Sequence, residues 1–306
     1  MIDYSVVTTV YNDEKEIEQF VRNICQQTIK PKEIIIADGG SKDNTCNIIK
    51  SIHDPIVKIT LLCNGRLNVS EGFNFAIKNA NTEYVGVVGV GNIYENDFFE
   101  HLISTTIQND LDACYAAIRG LDVTPFSIKY NRTILNGETG QRMNIASNHG
   151  VLIKKSIFEE LGFFYEKFIF AGEDAEFYEL VRKRGYKTLL NEDAILRWIT
   201  PQNWSEYFTQ VKNYSIAIMQ ILPTEVILKQ ILKAILPFIG FILLLIVAPF
   251  IGAMLAIAKI LYLFIKAKRL TDEHKDFVLW EAKRILPVFF YIRYSKYLKS
   301  KYKVKR

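Results

Sequence analysis

Residues 33–45 read EIIIADGGSKDNT, an apolar run that ends in an acidic residue and two glycines. Three consecutive β-branched residues, Ile34, Ile35 and Ile36, bounded by charge and glycine, fit a strand buried on both faces, as in a parallel sheet. Asp38 then falls at the strand's carboxyl end, where open α/β sheets bind ligands. Gly39 and Gly40 permit a tight turn and close approach of a ligand to backbone, and Ser41, Asp43 and Asn44 suit the cap of a following helix. Taken alone, the segment fits an ordinary strand-to-helix turn as well.

The residues before it narrow the choice. Residues 4–10 (YSVVTTV) read as a first strand, 11–13 as a polar loop, and 14–27 as an amphipathic helix with Ile17, Phe20, Val21 and Ile24 on one stripe. The chain therefore opens strand, helix, strand, helix. Its two loops, 9–13 and 38–43, fall on one edge of the sheet.

With VYNDE at 10–14 and QQTIKPKEIIIADGGSKDNT at 26–45, the chain resembles family 2 glycosyltransferases of the GT-A fold. The resemblance implies an α/β, Rossmann-like domain that binds a nucleoside-diphosphate sugar, a UDP-sugar being favoured. By the same resemblance Thr9 and Tyr11 lie near the base, Asp38 accepts from the pyrimidine N3–H, and Asp43 lies on the ribose side. Asn12 and Glu14 are expected as loop and helix-start residues.

Length and composition divide the chain. At 306 residues it exceeds one typical domain, and its composition changes near residue 230. The expected division is 1–220 for the GT-A domain, 221–270 for a hydrophobic membrane hairpin or span, and 271–306 for a basic, aromatic, amphipathic tail. Net charge is +5, yet the residues from Tyr291 onward hold seven Lys or Arg and no acid, more than the whole excess. The front domain is mixed in sign, which argues against a nucleic-acid-binding face. Cys25, Cys46, Cys63 and Cys114 are scattered without metal-type spacing and read as reduced, structural thiols.

A third strand is expected at 58–63 (KITLLC), then a loop at 64–68, with Ser70 capping a helix over 71–79. In the family this region lies along the donor, so Arg66 is expected to face the diphosphate and Asn74 to orient groups nearby; a solvated loop arginine is the alternative. Residues 84–90 (YVGVVGV) form the next buried strand. In relatives its end carries an Asp-x-Asp or Asp-Ala-His motif that holds a divalent cation. Here Gly89, Val90, Gly91 and Asn92 stand in its place, so the metal ligands are unknown and Asn92 is a weak candidate. Mg²⁺ or Mn²⁺ prefers carboxylate oxygens. Three accounts stay open: a cation held by diphosphate, water and a non-motif residue; neutralisation by Arg66 or a later basic residue; or loss of catalysis.

Residues 111–144 give weak signals, with Pro125, Gly137 and Gly140 marking a long connection. His149, just before a strand at 151–154, is more often structural in such a position than a ligand contact. The second strong motif is GEDAE at 172–176. Dipole stabilisation of acids at a helix start would explain it structurally. By resemblance it carries the general base, Asp174, with Glu173 shaping the acceptor site, because displacement at an anomeric carbon needs a carboxylate to take the acceptor's proton. A last strand region is expected at 189–195. Where processive relatives carry Q-x-x-R-W, residues 210–214 read QVKNY, which speaks against long-chain polymerisation.

No charged residue interrupts 234–258, enough for one crossing or, given Pro249 and Gly252, a shallow hairpin flanked by Lys229, Lys233, Lys266, Lys268 and Arg269. The tail segment 277–299, rich in Trp, Tyr, Lys and Arg, suits a headgroup layer. The expected protein is thus an inverting transferase at the cell membrane, its catalytic domain cytoplasmic. It would act on a lipid-linked saccharide or polyprenyl phosphate in surface-glycan synthesis, with membrane lipids as neighbours. The alternative is a non-catalytic, GT-A-like membrane scaffold that keeps nucleotide binding. A dinucleotide dehydrogenase is a poor fit, since no G-x-G-x-x-G follows the first strand.

Overall fold

The computed structural model describes residues 2–135, 147–168, 170–247, 249–272, 276–299 and 303–304. Gly137, Gly140, Lys301, Lys305 and Arg306, which figure in the expectations above, lie outside them. In chain order the elements are β1 (Tyr4–Val10), α1 (Ile17–Cys25), β2 (Glu33–Asp38), α2 (Thr45–Ser51), β3 (Lys58–Cys63), α3 (Val69–Lys78), β4 (Tyr84–Val88), β5 (Asn92–Tyr94), α4 (Phe98–Asn109), β6 (Ala113–Gly120), α5 (Pro125–Ile134), β7 (Gly150–Lys154), α6 (Lys155–Leu161), α7 (Glu173–Lys183), β8 (Thr188–Trp198), α8 (Trp204–Ile221), α9 (Thr224–Val247), α10 (Pro249–Asp272) and α11 (Phe277–Arg293). They gather into two compact units, one from 1–121 with 139–199 and one from 122–138 with 200–306.

The first unit is built on an eight-stranded sheet of order β3-β2-β1-β4-β7-β6-β8-β5. The four strands β3, β2, β1 and β4 are mutually parallel, and β7 enters antiparallel beside β4. Helices cover both faces, which is why β2 is apolar along its whole length. Ile34 and Ile36 pack with Phe20 and Ile24 of α1 and Leu102 of α4, while Ile35 points the other way, to Phe73 and Ile77 of α3 and Phe177 of α7. Each isoleucine is at most 1% exposed, worth about 1.5–3 kcal/mol apiece in removed apolar surface.

Local chemistry sets the helix starts. Asn68, not Ser70, caps α3: its side chain accepts from Glu71 N–H while Glu71 reaches back to Asn68 N–H, a reciprocal capping box. Ser70 is instead buried. Gly72 lets α3 close on β1, since a Cβ there would lie 2.1 Å from Thr9 Oγ1. The strands β5 and β6 fall in stretches where no strand was expected. β6, ACYAAIRG, is rich in alanine, and only its pairing with β7 and β8 makes it a strand.

The second unit is helical. An aromatic cluster of Phe126, Tyr130, Trp204 and Tyr207 joins α5 to α8, and Tyr130 Oη donates to Gln210 Oε1 at 2.8 Å. α11 is capped by Asp276, whose own N–H donates to Thr133 Oγ1. Lys266 of α10 sits 3.5 Å from the Trp280 ring centroid, a cation–π contact.

The stretch 221–270, expected as a membrane hairpin or span, is occupied by α9 and α10. Among the described residues no helix is long and apolar enough to cross a membrane. The uncharged run is divided between α9, which reaches Val247, and α10, which starts at Pro249, and each helix also carries lysines, Lys229 and Lys233 on one and Lys259, Lys266 and Lys268 on the other. What remains is an exposed apolar stripe. Leu228, Leu232, Leu236, Ile239 and Ile246 recur along α9 at helical spacing, and Ile246 is 71% exposed.

Candidate active site

Parallel pairing aligns the carboxyl ends of β1, β2, β3 and β4, so the loops that follow them share one edge. On this edge the loops after β1 and β2 are laced by reciprocal hydrogen bonds. Asn12 N–H donates to Ser41 Oγ at 2.9 Å and Lys42 N–H to Asn12 Oδ1 at 2.8 Å. Glu14 N–H donates to Asp43 Oδ2, and Asn44 N–H to Glu14 Oε2. Asn12 is thus the loop residue expected, whereas Glu14 stands in the turn ahead of α1, which starts at Ile17 and not at 14.

Asp38 is buried, and its carboxylate accepts from Gly40 N–H at 3.0 Å and from Ser41 N–H at 3.1 Å. The Gly39–Gly40 turn passes so close to the next loop that a Cβ on Gly39 would stand 3.1 Å from Leu67 O, and one on Gly40 3.4 Å from Arg66 Cα. Gly40 also has φ +89°, which disfavours any side chain. These contacts draw Asp38, Arg66 and the Thr9–Tyr11 strand end together. Thr9 Oγ1 donates to Ala37 O, whereas the Tyr11 ring is 53% exposed and free to stack. Arg66 is exposed and forms no ion pair among the described residues.

Asp43 and Asn74 are committed within the protein. Asp43 Oδ1 accepts from both Thr45 N–H and Thr45 Oγ1. Desolvation works against its charge, but the bonds from Thr45 and from Glu14 N–H outweigh it and hold the carboxyl below its ordinary range. Asn74 is 1% exposed: its amide donates to Phe164 O and Glu166 Oε1 and accepts from Phe164 N–H, fixing the segment that leads toward α7.

The end of β4 is organised differently. A Cβ on Gly89 would stand 3.1 Å from Asn92 Nδ2 and 3.5 Å from His149 Nδ1, so the space a carboxylate would enter is filled by these two side chains. Asn92 Nδ2 donates to Gly89 O at 3.0 Å and to His149 Nδ1 at 2.9 Å, which puts the imidazole proton on Nε2. Tyr94 Oη accepts from Gly89 N–H and contacts both Gly89 O and His149 O. Burial holds His149 below its ordinary range, against the opposing charge of Asp174. Asn92 Oδ1 is buried and has no hydrogen-bond partner among the described residues.

The side chains at the end of β4 form a poor donor set for a divalent cation. It offers one amide oxygen and no carboxylate, and a neutral imidazole nitrogen already engaged by an amide. Hard cations take several oxygen ligands, so the residues at Gly89, Gly91 and Asn92 do not by themselves fit Mg²⁺ or Mn²⁺.

Gly172, at φ +107°, turns the chain into α7 and sets Glu173, Asp174 and Glu176 in its first turn. Glu173 is 7% exposed; Asn148 Nδ2 donates to its Oε1 at 3.3 Å, and Tyr178 Oη donates to Asn148 Oδ1. Burial, with the charge of Asp174 second, pushes the Glu173 carboxyl up to about 8. Asp174 is half-buried and its Oδ1 accepts from Ala175 N–H. Asn148 and His149 therefore bridge the GEDAE helix start to the end of β4. Tyr94, Asn148 and Tyr178 were not foreseen; Asn148 was visible only as the residue before His149, and Tyr94 carried no motif.

A fold with this sheet and strand edge matches a known family: the model for glycosyl transferase family 2 covers residues 5–162. The chain belongs to that family and is a glycosyltransferase. It is 26% identical over 232 residues to a Methanococcus voltae dolichyl N-acetyl-α-D-glucosaminyl phosphate 3-β-D-2,3-diacetamido-2,3-dideoxy-β-D-glucuronosyltransferase, covering 70% of this chain and 72% of that one. It is 23% identical to the uncharacterized glycosyltransferase EpsJ of Bacillus subtilis, over 56% of this chain and 54% of EpsJ, so the match spans about half that relative's length. Among solved structures, the mannosyltransferase PcManGT of Pyrobaculum calidifontis, in complex with GDP-Man and Mn²⁺, superimposes with a TM-score of 0.64 at 17% identity, over 96% of this chain and 88% of that one. That likeness supports the GT-A fold.

Proposed function

We propose that the protein transfers one sugar, with inversion, from a nucleoside-diphosphate sugar to a lipid-linked saccharide or polyprenyl phosphate at the cytoplasmic face of the cell membrane. The observation that carries this reading is the carboxylate pair at the start of α7, with Glu173 buried and its carboxyl pushed up to about 8 and Asp174 half-buried beside it. Asp174 takes the proton of the acceptor hydroxyl as its oxygen bonds to the anomeric carbon. The bond from that carbon to the diphosphate breaks on the opposite side, and the nucleoside diphosphate departs.

Asp38 accepts from the base N3–H, Tyr11 stacks on the base, and Thr9 lines the same end. A UDP-sugar is favoured, because a buried carboxylate at that place suits a pyrimidine imide. Asp43 and Asn74 act by holding loops. Arg66 neutralises the departing diphosphate. The neighbours that hold GDP-Man with Mn²⁺, or UDP-GlcNAc, support a nucleotide-sugar donor. The acceptor class is supported by the Methanococcus relative and by the Escherichia coli β-1,3-glucosyltransferase WfgD, whose name gives α-D-GlcNAc-diphosphoundecaprenol, at 27% identity over 44% of this chain. The exposed stripe of α9 supports attachment in the plane of the headgroups, not across the bilayer.

A non-catalytic scaffold is favoured by one observation, the missing carboxylate at Gly89 and Gly91. Membranes holding the protein, given a panel of labelled nucleotide sugars, separate the two. Label entering the lipid fraction with wild type and not with Asp174→Asn is expected; absence of transfer from every donor would favour the scaffold.

A further inference from the structure

The cysteines lack metal-type spacing in sequence, yet two of them meet in space. β2 and β3 are parallel neighbours with Asp38 directly opposite Cys63. Partners in register send their side chains to the same face of the sheet. Cys46 stands in the first turn of α2, after the glycine turn that begins at Asp38. The carboxylate oxygen and the two sulfurs all lie within 4.8 Å of one another.

We propose that Asp38, Cys46 and Cys63 form a site for a soft divalent cation, Zn²⁺ or Cd²⁺, which when bound removes Asp38 from the donor base. The exclusion of donor rests on the reading of Asp38 given under Proposed function; the metal site does not.

Tetrahedral Zn²⁺ with Zn–S of about 2.3 Å needs its sulfurs about 3.8 Å apart, so the three groups must close by no more than about 1 Å. Two thiolates with one carboxylate select soft or borderline ions over Mg²⁺ and Mn²⁺. Exposure is graded along the site: Cys63 is exposed, Cys46 half-buried and Asp38 buried, which gives an ion a route from solvent to carboxylate. Asp38 is already oriented by Gly40 and Ser41 N–H, so a metal has only its remaining lone pairs to use, those open to a base. Charge also balances. Two thiols and one carboxylate carry −1; the ion brings +2, two protons leave, and the filled site again carries −1.

The test titrates the purified full chain with Cd²⁺ under a non-thiol reductant and follows the thiolate-to-cadmium charge-transfer absorption. Wild type is expected to saturate at one equivalent, and Cys46→Ser and Cys63→Ser each to lose the signal; Cys63 is exposed, so its variant keeps the fold. With Zn²⁺ at ten times its own dissociation constant, the apparent Kd for UDP should rise about tenfold in wild type by mass action and stay unchanged in Cys63→Ser. No saturating absorption, or a signal that survives in the double variant and so belongs to Cys25 or Cys114, overturns the site. A full cadmium signal with UDP affinity indifferent to Zn²⁺ overturns the exclusion. Asp38→Asn, measured without metal, reports on the nucleotide reading alone: unchanged UDP affinity there means that reading has failed, whatever cadmium does.

Discussion

The two halves of the candidate site treat carboxylates in opposite ways. On the donor side, Asp38 and Asp43 each collect hydrogen bonds from backbone N–H groups, and Asp43 is held below its ordinary range by them. On the side of α7, Glu173 is buried with one long bond from Asn148 and is pushed up to about 8. The lesson is that the same residue type serves as a fixed acceptor where N–H groups converge and as a proton holder where they do not. The first arrangement suits recognition of an uncharged base. The second keeps a pair of adjacent acids from both being charged at the start of α7.

The comparison breaks most severely at Asp174. Asp174→Asn is expected to lower transfer by about 10²–10⁴-fold, the usual contribution of a general base, while UDP binding by calorimetry is retained. Equal loss of both would mean that the two halves are not separable. Next comes Arg66→Ala, for which transfer should fall by about 10–100-fold and Arg66→Lys recover part of it, since a charge-assisted contact to a phosphate is worth about 1.5–3 kcal/mol. A chelator that stops wild-type transfer, reversed by Mn²⁺, would show that a cation and not Arg66 carries the diphosphate. Asp38→Asn should raise the Kd for UDP about tenfold by replacing a charged acceptor with a neutral one, leaving turnover at saturating donor nearly unchanged.

The smallest effect concerns stability. Glu173 binds its proton up to about 8 when folded, against an ordinary 4.5. Between those values the unfolded chain gives the proton up and the folded chain keeps it, so stability falls as pH rises across that window and levels above it. Glu173→Gln should flatten this slope, read as urea midpoints at about pH 5 and about pH 8. An unchanged slope would mean that Glu173 is not the proton holder and that the contrast between the halves is lost.

Much of the β2 edge was legible in sequence because its signals are local. The run 34–36, the acid after it and the glycine pair follow one another along the chain, and the structure keeps them in that order. The chemistry of β4 and α7 was legible only as a motif and a gap. What fills the gap, Asn92 and His149, comes from positions 57 residues apart, and only strand pairing between β4 and β7 brings them to one place. The meeting of Cys46 and Cys63 was hidden for the same reason: parallel register, not spacing, makes them neighbours. The uncharged run 234–258 was read as a hairpin or a span from composition alone, and among the described residues no helix is long and apolar enough to cross a membrane.

Gly89 has a consequence for redesign. An acid placed at that position alone meets Asn92 Nδ2 at 3.1 Å and the imidazole of His149 just beyond, while the Tyr94 hydroxyl ties the backbone on both sides. Building a carboxylate into this edge therefore requires smaller side chains at 92 and 149 together with the change at 89.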